Sequence, residues 1–440
     1  MKRSTILLLI IFYFLLPRES IAQSQREGWA KIPSPTNKTL RNLYFIDAQT
    51  GWAAGEDGTI IHTSDGGDSW IVQNSTVPSF IVDIFFINKN LGWALAFRDI
   101  FPFGTIILKT TNGGNTWIAE DYPDDNAFMN TVFFFDSLNG WVGGTYIAGT
   151  TNGGVTWVEA DVDSSMISGL PVYNFNFYNK QFGYACGGYL DLAGVIWRTT
   201  DYGESWSATG VSPDQVFDLY IIDSLNTIGL SGDPEGFFGT GNIITTDAGA
   251  NWTYDEMSLS GLSFTIDFRT ESEGWSASGY KFLITSDSGA TWENKETPDS
   301  AVIFDLVFID SRNGFAVGEE GVILKYIPGP ADVFNLGIDV TPSNFVLFQN
   351  FPNPFNPSTK IRFTIPSNVK RQTSNVILIV YDVLGNEIIT LANEEKPAGE
   401  HEVIFDTDLI NQKVALPSGI YFYQLRAGAY VQTKKMILLR

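Results

Sequence analysis

The chain has 440 residues, a formal net charge of −22 at pH 7 and an aromatic content of 14 %. So acidic a balance repels nucleic acid and anionic membrane surfaces, and neither is expected as a partner. Two histidines and one cysteine exclude a His-based metal site, a His-based catalytic triad and an internal disulfide, so packing alone has to hold the chain together.

Residues 1–22 read as a secretory signal. Lys2-Arg3 supply a positive start, Ile6 to Leu16 an apolar run of 11, and Ser20-Ile21-Ala22 a small-residue cleavage site before Gln23. The run is too short to cross a bilayer comfortably, and no cysteine follows it to carry a lipid. No later stretch is long and apolar enough to be a membrane span.

Residues 23–330 repeat one unit. Its second half, Thr-[Ser/Thr]-[Asp/Asn]-x-Gly-x-x-Trp, occurs six times. The acidic or amide residue and the Trp are Asp65 and Trp70, Asn112 and Trp117, Asn152 and Trp157, Asp201 and Trp206, Asp247 and Trp252, and Asp287 and Trp292. Its first half, Gly-[aromatic]-Ala-x-Gly or a degraded form, starts at Gly51, Gly92, Gly140, Gly183, Gly229, Gly274 and Gly314, at steps of 40 to 48 residues. That period suits four short strands with their turns and predicts a stacked or circular repeat. The seventh copy ends at Tyr326 without a second half. Gly28-Trp-Ala-Lys-Ile32 looks like the segment after each box, such as Ser69 to Gln73. We therefore expect seven blades, with residues 28–32 completing the last and leaving no open sheet edge.

Each box residue has a folding role. The Asp or Asn oxygen accepts backbone N–H groups across the turn, the Gly takes a positive φ, and the Trp covers the turn while its N–H keeps a polar partner. The boxes are accordingly read as staples rather than as ligand or calcium sites. No contiguous EF-hand-type loop is present, and neither a metal nor a cofactor is expected. The single Cys186 reads as a small buried residue.

The unit resembles the Asp-box, or bacterial neuraminidase, repeat. Its Phe-[Ile/Phe]-Asp-x-x-x-Gly-Trp-Ala-x-Gly preface resembles the propellers of photosystem II assembly and stability factors. The resemblance implies a β-propeller with the boxes at the rim between third and fourth strands. It does not imply photosynthesis, because a fold does not carry a function with it.

Residues 23–330 hold 14 basic and 38 acidic residues, residues 331–440 ten of each, and all 12 Trp precede residue 300. This break places a linker over residues 331–344, after Ile327-Pro-Gly-Pro. Residues 345–440 then show short strands separated by turns such as Leu384-Gly-Asn386 and Pro417-Ser-Gly419, which suggests a small immunoglobulin-like β-sandwich. The expected fold class is all-β throughout. Gln349-Asn-Phe-Pro-Asn-Pro-Phe-Asn-Pro-Ser-Thr359, Tyr381-Asp-Val-Leu-Gly385, Ala398-Gly-Glu-His401, Ser418 to Tyr423 and the basic-apolar ending resemble the type A C-terminal sorting domain of the type IX (Por) secretion system. That resemblance implies the type IX secretion machinery as a partner, with release outside the cell or attachment to its surface in a Bacteroidetes-type bacterium.

A ligand site is expected on the face opposite the boxes, where long loops set aromatics beside carboxylates. The candidates are Phe97, Arg98, Asp99, Phe101 and Phe103 in blade two, Tyr122 before blade three, Tyr189 and Asp191 in blade four, and Asp233, Glu235, Phe237 and Phe238 in blade five. No catalytic residue is named. The arginines of the repeat region do not form the cluster a sialidase needs, Ser-based catalysis lacks its histidine and its Gly-x-Ser-x-Gly elbow, and no carboxylate pair stands out for a glycoside hydrolase. The sequence thus points to a secreted or surface-displayed binding or scaffold module for a glycan or protein. A secreted polysaccharide-active hydrolase and an assembly factor on the photosystem pattern are the alternatives.

Overall fold

A computed structural model describes residues 28–232 and 239–329, and between 346 and 438 residues 346–348, 350, 353, 355, 357–365, 373–397, 399–407, 416–427 and 430–438. The expected signal, the linker, and the candidates Asp233, Glu235, Phe237 and Phe238 lie outside the described residues.

Seven antiparallel sheets follow one another along the chain. Blade one is Leu40–Phe45, Gly51–Gly55, Thr59–Thr63 and Ile71–Asn74, and blade two is Ile81–Phe86, Gly92–Arg98, Gly104–Thr110 and Ile118–Asp121. Blade three is Met129–Phe134, Gly140–Gly144, Ile147–Thr150 and Val158–Glu159, and blade four is Val172–Phe177, Gly183–Tyr189, Ala193–Thr199 and Ser205–Ser212. Blades five and six start at Val216–Ile221 and Thr265–Phe268. Blade seven combines Ile303–Phe308, Gly314–Gly318 and Ile323–Ile327 with Gly28–Ile32 from the other end of the chain, in register from Gly28 against Ile327 to Ile32 against Ile323. The fold is a seven-bladed β-propeller.

The repeat pattern is an aromatic packing scheme. Outside blade five, the Phe that ends the first strand lies across the Gly that opens the second, as Phe45 does over Gly51 and Phe86 over Gly92. The aromatic after that Gly reaches the neighbouring blade. Trp52 stacks on Phe86 at 3.5 Å between ring centroids, Trp93 on Phe134 at 3.6 Å and Phe315 on Phe45 at 4.4 Å, each within 11° of parallel. The box Trp closes the unit edge-on, Trp70 against Phe45 at 87° and Trp117 against Phe86 at 79°. These rings form rungs that each join two blades.

This packing makes one substitution diagnostic. Phe86 is 1 % exposed and pinned under Trp52, and a Cβ at Gly92 would be driven into its ring. Gly92→Ala is expected to cost about 1–3 kcal/mol, the usual range for overpacking. A urea midpoint equal to that of the parent would mean that Phe86 can step aside and that the steric account is wrong.

The boxes are built as a turn within a turn. In the first, the Thr63 hydroxyl donates to Asp65 Oδ1 (2.8 Å) and accepts the Gly67 N–H (2.9 Å), while Asp65 accepts the Ser69 N–H and hydroxyl. These donors hold the Asp65 carboxyl down at about 2. Gly67 has a φ of 78° and lies against the Phe315 ring of blade seven, so the turn and the seam both require glycine there. The expectation that the Trp N–H keeps a polar partner needs correction. Trp206 donates to the Gly203 carbonyl at 2.9 Å, but the buried N–H groups of Trp70, Trp117, Trp157 and Trp292 meet no acceptor among the described residues. Edge-to-face contact with the first-strand Phe fixes these rings, and a hydrogen bond does not.

The C-terminal strands form a β-sandwich. Val346–Leu347, Ser358–Ile365 and Gly399–Asp406 make one sheet, and Thr373–Tyr381, Glu387–Pro397, Gly419–Ala427 and Tyr430–Leu438 the other. Ile361, Phe363, Val376, Leu378, Phe405, Tyr423 and Leu438 are among the residues of its core. The Asn-rich motif seals this core. The Tyr423 hydroxyl donates to the Phe348 carbonyl and accepts the Asn350 N–H, Asn353 Oδ1 accepts the Ile437 N–H, and the Phe355 ring is buried.

Candidate functional site

The first strand of every blade lines a central channel, and its side chains form layers. Glu56 N–H bonds to the Thr39 carbonyl, which places the loops between second and third strands at the start of the first strands and opposite the boxes. The channel, a cavity of about 760 Å³ lined by the first strands of all seven blades, opens on that face.

Aromatic rings form the mouth. Tyr173 stacks on Phe217 at 4.7 Å, Phe217 meets Phe264 at 5.8 Å, and Phe264 meets Phe304 at 5.3 Å. The Arg41 guanidinium closes the arc, with Cζ 3.6 Å above the Phe304 ring. Across the opening, Phe97 contacts Phe80 at 6.2 Å and Phe128 at 5.5 Å. The residues of the arc immediately precede the polar residue of each first strand, as in Arg41-Asn-Leu, Phe217-Asp-Leu and Phe304-Asp-Leu.

One residue further in, the polar layer ties the seams. Asp305 accepts the Leu43 N–H of blade one at 2.7 Å, Asn42 the Ile84 N–H at 3.1 Å, and Asp83 the Val132 N–H at 2.7 Å. Asn130 donates to the Val172 carbonyl, Asn174 to Asp218, and Asp218 accepts the Ile266 N–H. Asp267, deeper in the channel, accepts the Phe308 N–H at 2.6 Å. All seven junctions are therefore bridged by a side chain. The carboxylates face the channel but lie between the blades, and burial raises their pKa: Asp83 to about 6, Asp267 to about 7, and Asp218 and Asp305 upward as well. Their oxygens are occupied by backbone donors from two blades. They act as seam bonds and are not free acids or bases.

The described loop candidates separate into four groups. Phe97 belongs to the mouth. Phe101 and Phe103 are exposed, at 81 % and 44 %, beside the exposed Ile100 and Asp99. Tyr189 is 58 % exposed, and Asp191, also exposed, donates its N–H to Asp214. Arg98 holds the loop together instead of facing a ligand: it pairs with Asp121 and Asp125 and donates to the Phe103 carbonyl. Tyr122 is corrected outright. It is 3 % exposed in the cluster packed between blades two and three, beside Trp157, and its N–H still bonds to the Thr105 carbonyl of blade two. Sequence reasoning missed Arg41, Tyr173, Phe217, Phe264 and Phe304. Their signal was an aromatic or arginine four residues before the Phe or Ile that ends the strand.

Among the described residues no group of three or more His, Cys, Asp or Glu side chains is arranged to hold a metal, and no helix is long and apolar enough to cross a membrane.

Residues 21–117 and 241–327 match the family described as photosynthesis system II assembly factor YCF48. The propeller is similar to YCF48. Photosystem II assembly protein Ycf48 of Thermosynechococcus vestitus is 35 % identical over 54 residues, 12 % of this chain and 16 % of that protein. A solved structure of YCF48 bound to D1 peptide superposes with a TM-score of 0.55 at 19 % identity, over 68 % of this chain and 97 % of that one. The GH74 xyloglucanase from Xanthomonas campestris gives a TM-score of 0.52 at 11 % identity, over 85 % of this chain and 63 % of that one. At these identities both structures speak for the fold alone. Residues 349–439 match the secretion system C-terminal sorting domain. This YCF48-like propeller is thus followed by a tail that indicates export by type IX secretion to the cell surface or the extracellular space.

Proposed function

We propose that the exported propeller is a non-catalytic binding module whose channel mouth takes an extended polypeptide segment of a partner at the cell surface. The observation that supports this reading is the arc Tyr173–Phe217–Phe264–Phe304 with Arg41 at its end, at the entrance to a channel of about 760 Å³. Rings set on a rigid scaffold accept apolar side chains at little entropic cost, and a guanidinium donates to backbone carbonyls. The exposed Ile100, Phe101, Phe103 and Tyr189 extend the apolar rim. YCF48, a similar fold, has been solved bound to D1 peptide, which adds support. The hydrolase reading is weakened by the channel carboxylates, which are held by backbone donors at the seams.

The test is a peptide array and a polysaccharide array probed with the same purified protein, followed by titration of the best ligand. Phe217→Ala with Phe264→Ala should weaken that ligand at least tenfold, about 1.4 kcal/mol. Unchanged affinity in the double variant would remove the mouth as the site. Polysaccharide binding with chain cleavage would replace the reading by a hydrolase.

A further inference from the structure

On the box side, side chains of one blade donate to turn carbonyls of the next. Three of the donors are cations on third strands. Lys109 Nζ lies 2.8 Å from the Gly153 carbonyl, Arg198 Nε 2.7 Å from that of Ala248, and Lys325 Nζ 2.7 Å from that of Gly66. Each also sits over an aromatic ring, Trp93 at 5.4 Å, Phe182 at 5.4 Å and Phe315 at 5.7 Å. Gln73, Asn242 and Arg269 reach turn carbonyls at three other seams.

The seam between blades three and four differs. The residue in register with Lys109 is Gly149, paired with Trp141 as Lys109 is with Trp93. Among the described residues no side chain of blade three reaches the carbonyl of Tyr202, the counterpart of Gly66, Gly153 and Ala248. The Trp141 ring packs over Gly149 and Gly203, and beside it lies a slot of about 530 Å³, against about 190 Å³ for the corresponding space that holds Lys109. The chain also closes this slot on its outer side. Val158–Glu159 pairs with Ala148 and Gly149 of blade three, and Asp161–Val162 then crosses to run parallel to Ser205 and Trp206 of blade four. Trp141 lines the slot and is held edge-on by Trp206. Glu159 and Glu204 are exposed around it, while the one ammonium among the lining residues, Lys180, is paired with Asp136 at 3.2 Å.

We propose that this slot receives from a partner the cation that other seams supply from within: a lysine or arginine side chain on a basic segment. Its charged end lies over Trp141, donates to the Tyr202 carbonyl and is neutralised by Glu159 and Glu204. The requirements are those met by Lys109 and Lys325, with the charge now brought in trans. The site lies on the box side, separate from the channel mouth.

The probe is an acetylated, amidated Gly-Lys-Gly-Lys-Gly peptide, titrated into the full chain labelled with ¹⁵N at the indole nitrogens. The lysine peptide should shift the Trp141 indole signal, assigned with Trp141→Phe. The same peptide with norleucine for lysine should bind at least tenfold more weakly. Glu159→Gln with Glu204→Gln should weaken lysine binding at least tenfold at an unchanged melting temperature, and Phe217→Ala with Phe264→Ala should leave it intact. Equal affinity for the two peptides, no binding of either, or a double Gln variant that binds as well as the parent would overturn the proposal.

Discussion

Removal of residues 28–32 is expected to abolish the cooperative unfolding of the propeller and to bring on aggregation. The strand supplies the outer edge of blade seven through five paired residues. Without it Ile323–Ile327 becomes an open edge with unpaired backbone groups, ready to recruit another chain. The strand also carries Trp29, whose ring meets Trp275, Phe282, Phe308 and Tyr326 at centroid distances of 5.3 to 5.9 Å. Trp29 therefore takes the place in blade seven that the box Trp takes elsewhere. Trp29→Ala should destabilise by about 2–4 kcal/mol through the cavity left behind. In a propeller of about 300 residues that lowers the melting temperature by roughly 3–6 °C. The strand joins the two ends of the repeat region, and the order of a loop of roughly 300 residues depends on it. Calorimetry of the parent, the substitution and the deletion checks the argument. A deletion variant that melts as a single transition at the parental temperature would show that the ring needs no closure.

Stability of the propeller should fall as pH rises from about 4 to 8. Asp267 and Asp83 have folded pKa values of about 7 and about 6 against an ordinary value of 3.8, and burial is the main cause. Between the ordinary and the raised value the folded state binds more protons than the unfolded state, so stability is highest at the acid end and is lost through the folded pKa. The charge on Asp218 adds to the effect at Asp267 and Asp305. For Asp267 alone the loss is on the order of 2–4 kcal/mol. The box and turn carboxylates act in the opposite sense: Asp65 and Asp136 stand at about 2, and their contribution disappears as pH falls below about 4. A stability maximum in mildly acidic solution follows. Asp267→Asn should flatten the alkaline limb and stabilise at pH 8, by about 1–3 kcal/mol after one acceptor is lost. Blade four already carries Asn176 at this position. Urea midpoints at pH 5 and pH 8 for both proteins decide the matter, and a pH-independent parent would sink it.

Much of the fold was legible because the same physical constraint is written in blade after blade. Gly51 or Gly92 alone is an ordinary glycine. Outside blade five, each such glycine follows a strand-ending Phe by six residues and is itself followed by an aromatic, which describes a ring that must pass over a bare backbone. The sandwich was legible from its turns and from the Asn-rich motif, whose Asn350, Asn353 and Phe355 seal the core. The candidate site was legible only in its face. Tyr122 and Arg98 sit in loop sequences that read like a binding rim, yet one is buried between blades two and three and the other pairs with Asp121 and Asp125. A side chain's direction depends on which blade the chain enters next.

The sequence by itself determined the architecture, the repeat unit and the destination of the product, because these rest on local patterns repeated along the chain. Only the tertiary structure decided what stands at the channel mouth and between the blades. Arg41 and Phe304 are more than 260 positions apart. Lys325 and Gly66 are 259 apart, and the slot beside Trp141 is lined from two blades, by Gly149 on one side and Tyr202 on the other. Such contacts arise when a ring closes and distant strands become neighbours. No local pattern encodes them, since each partner alone is compatible with many surroundings.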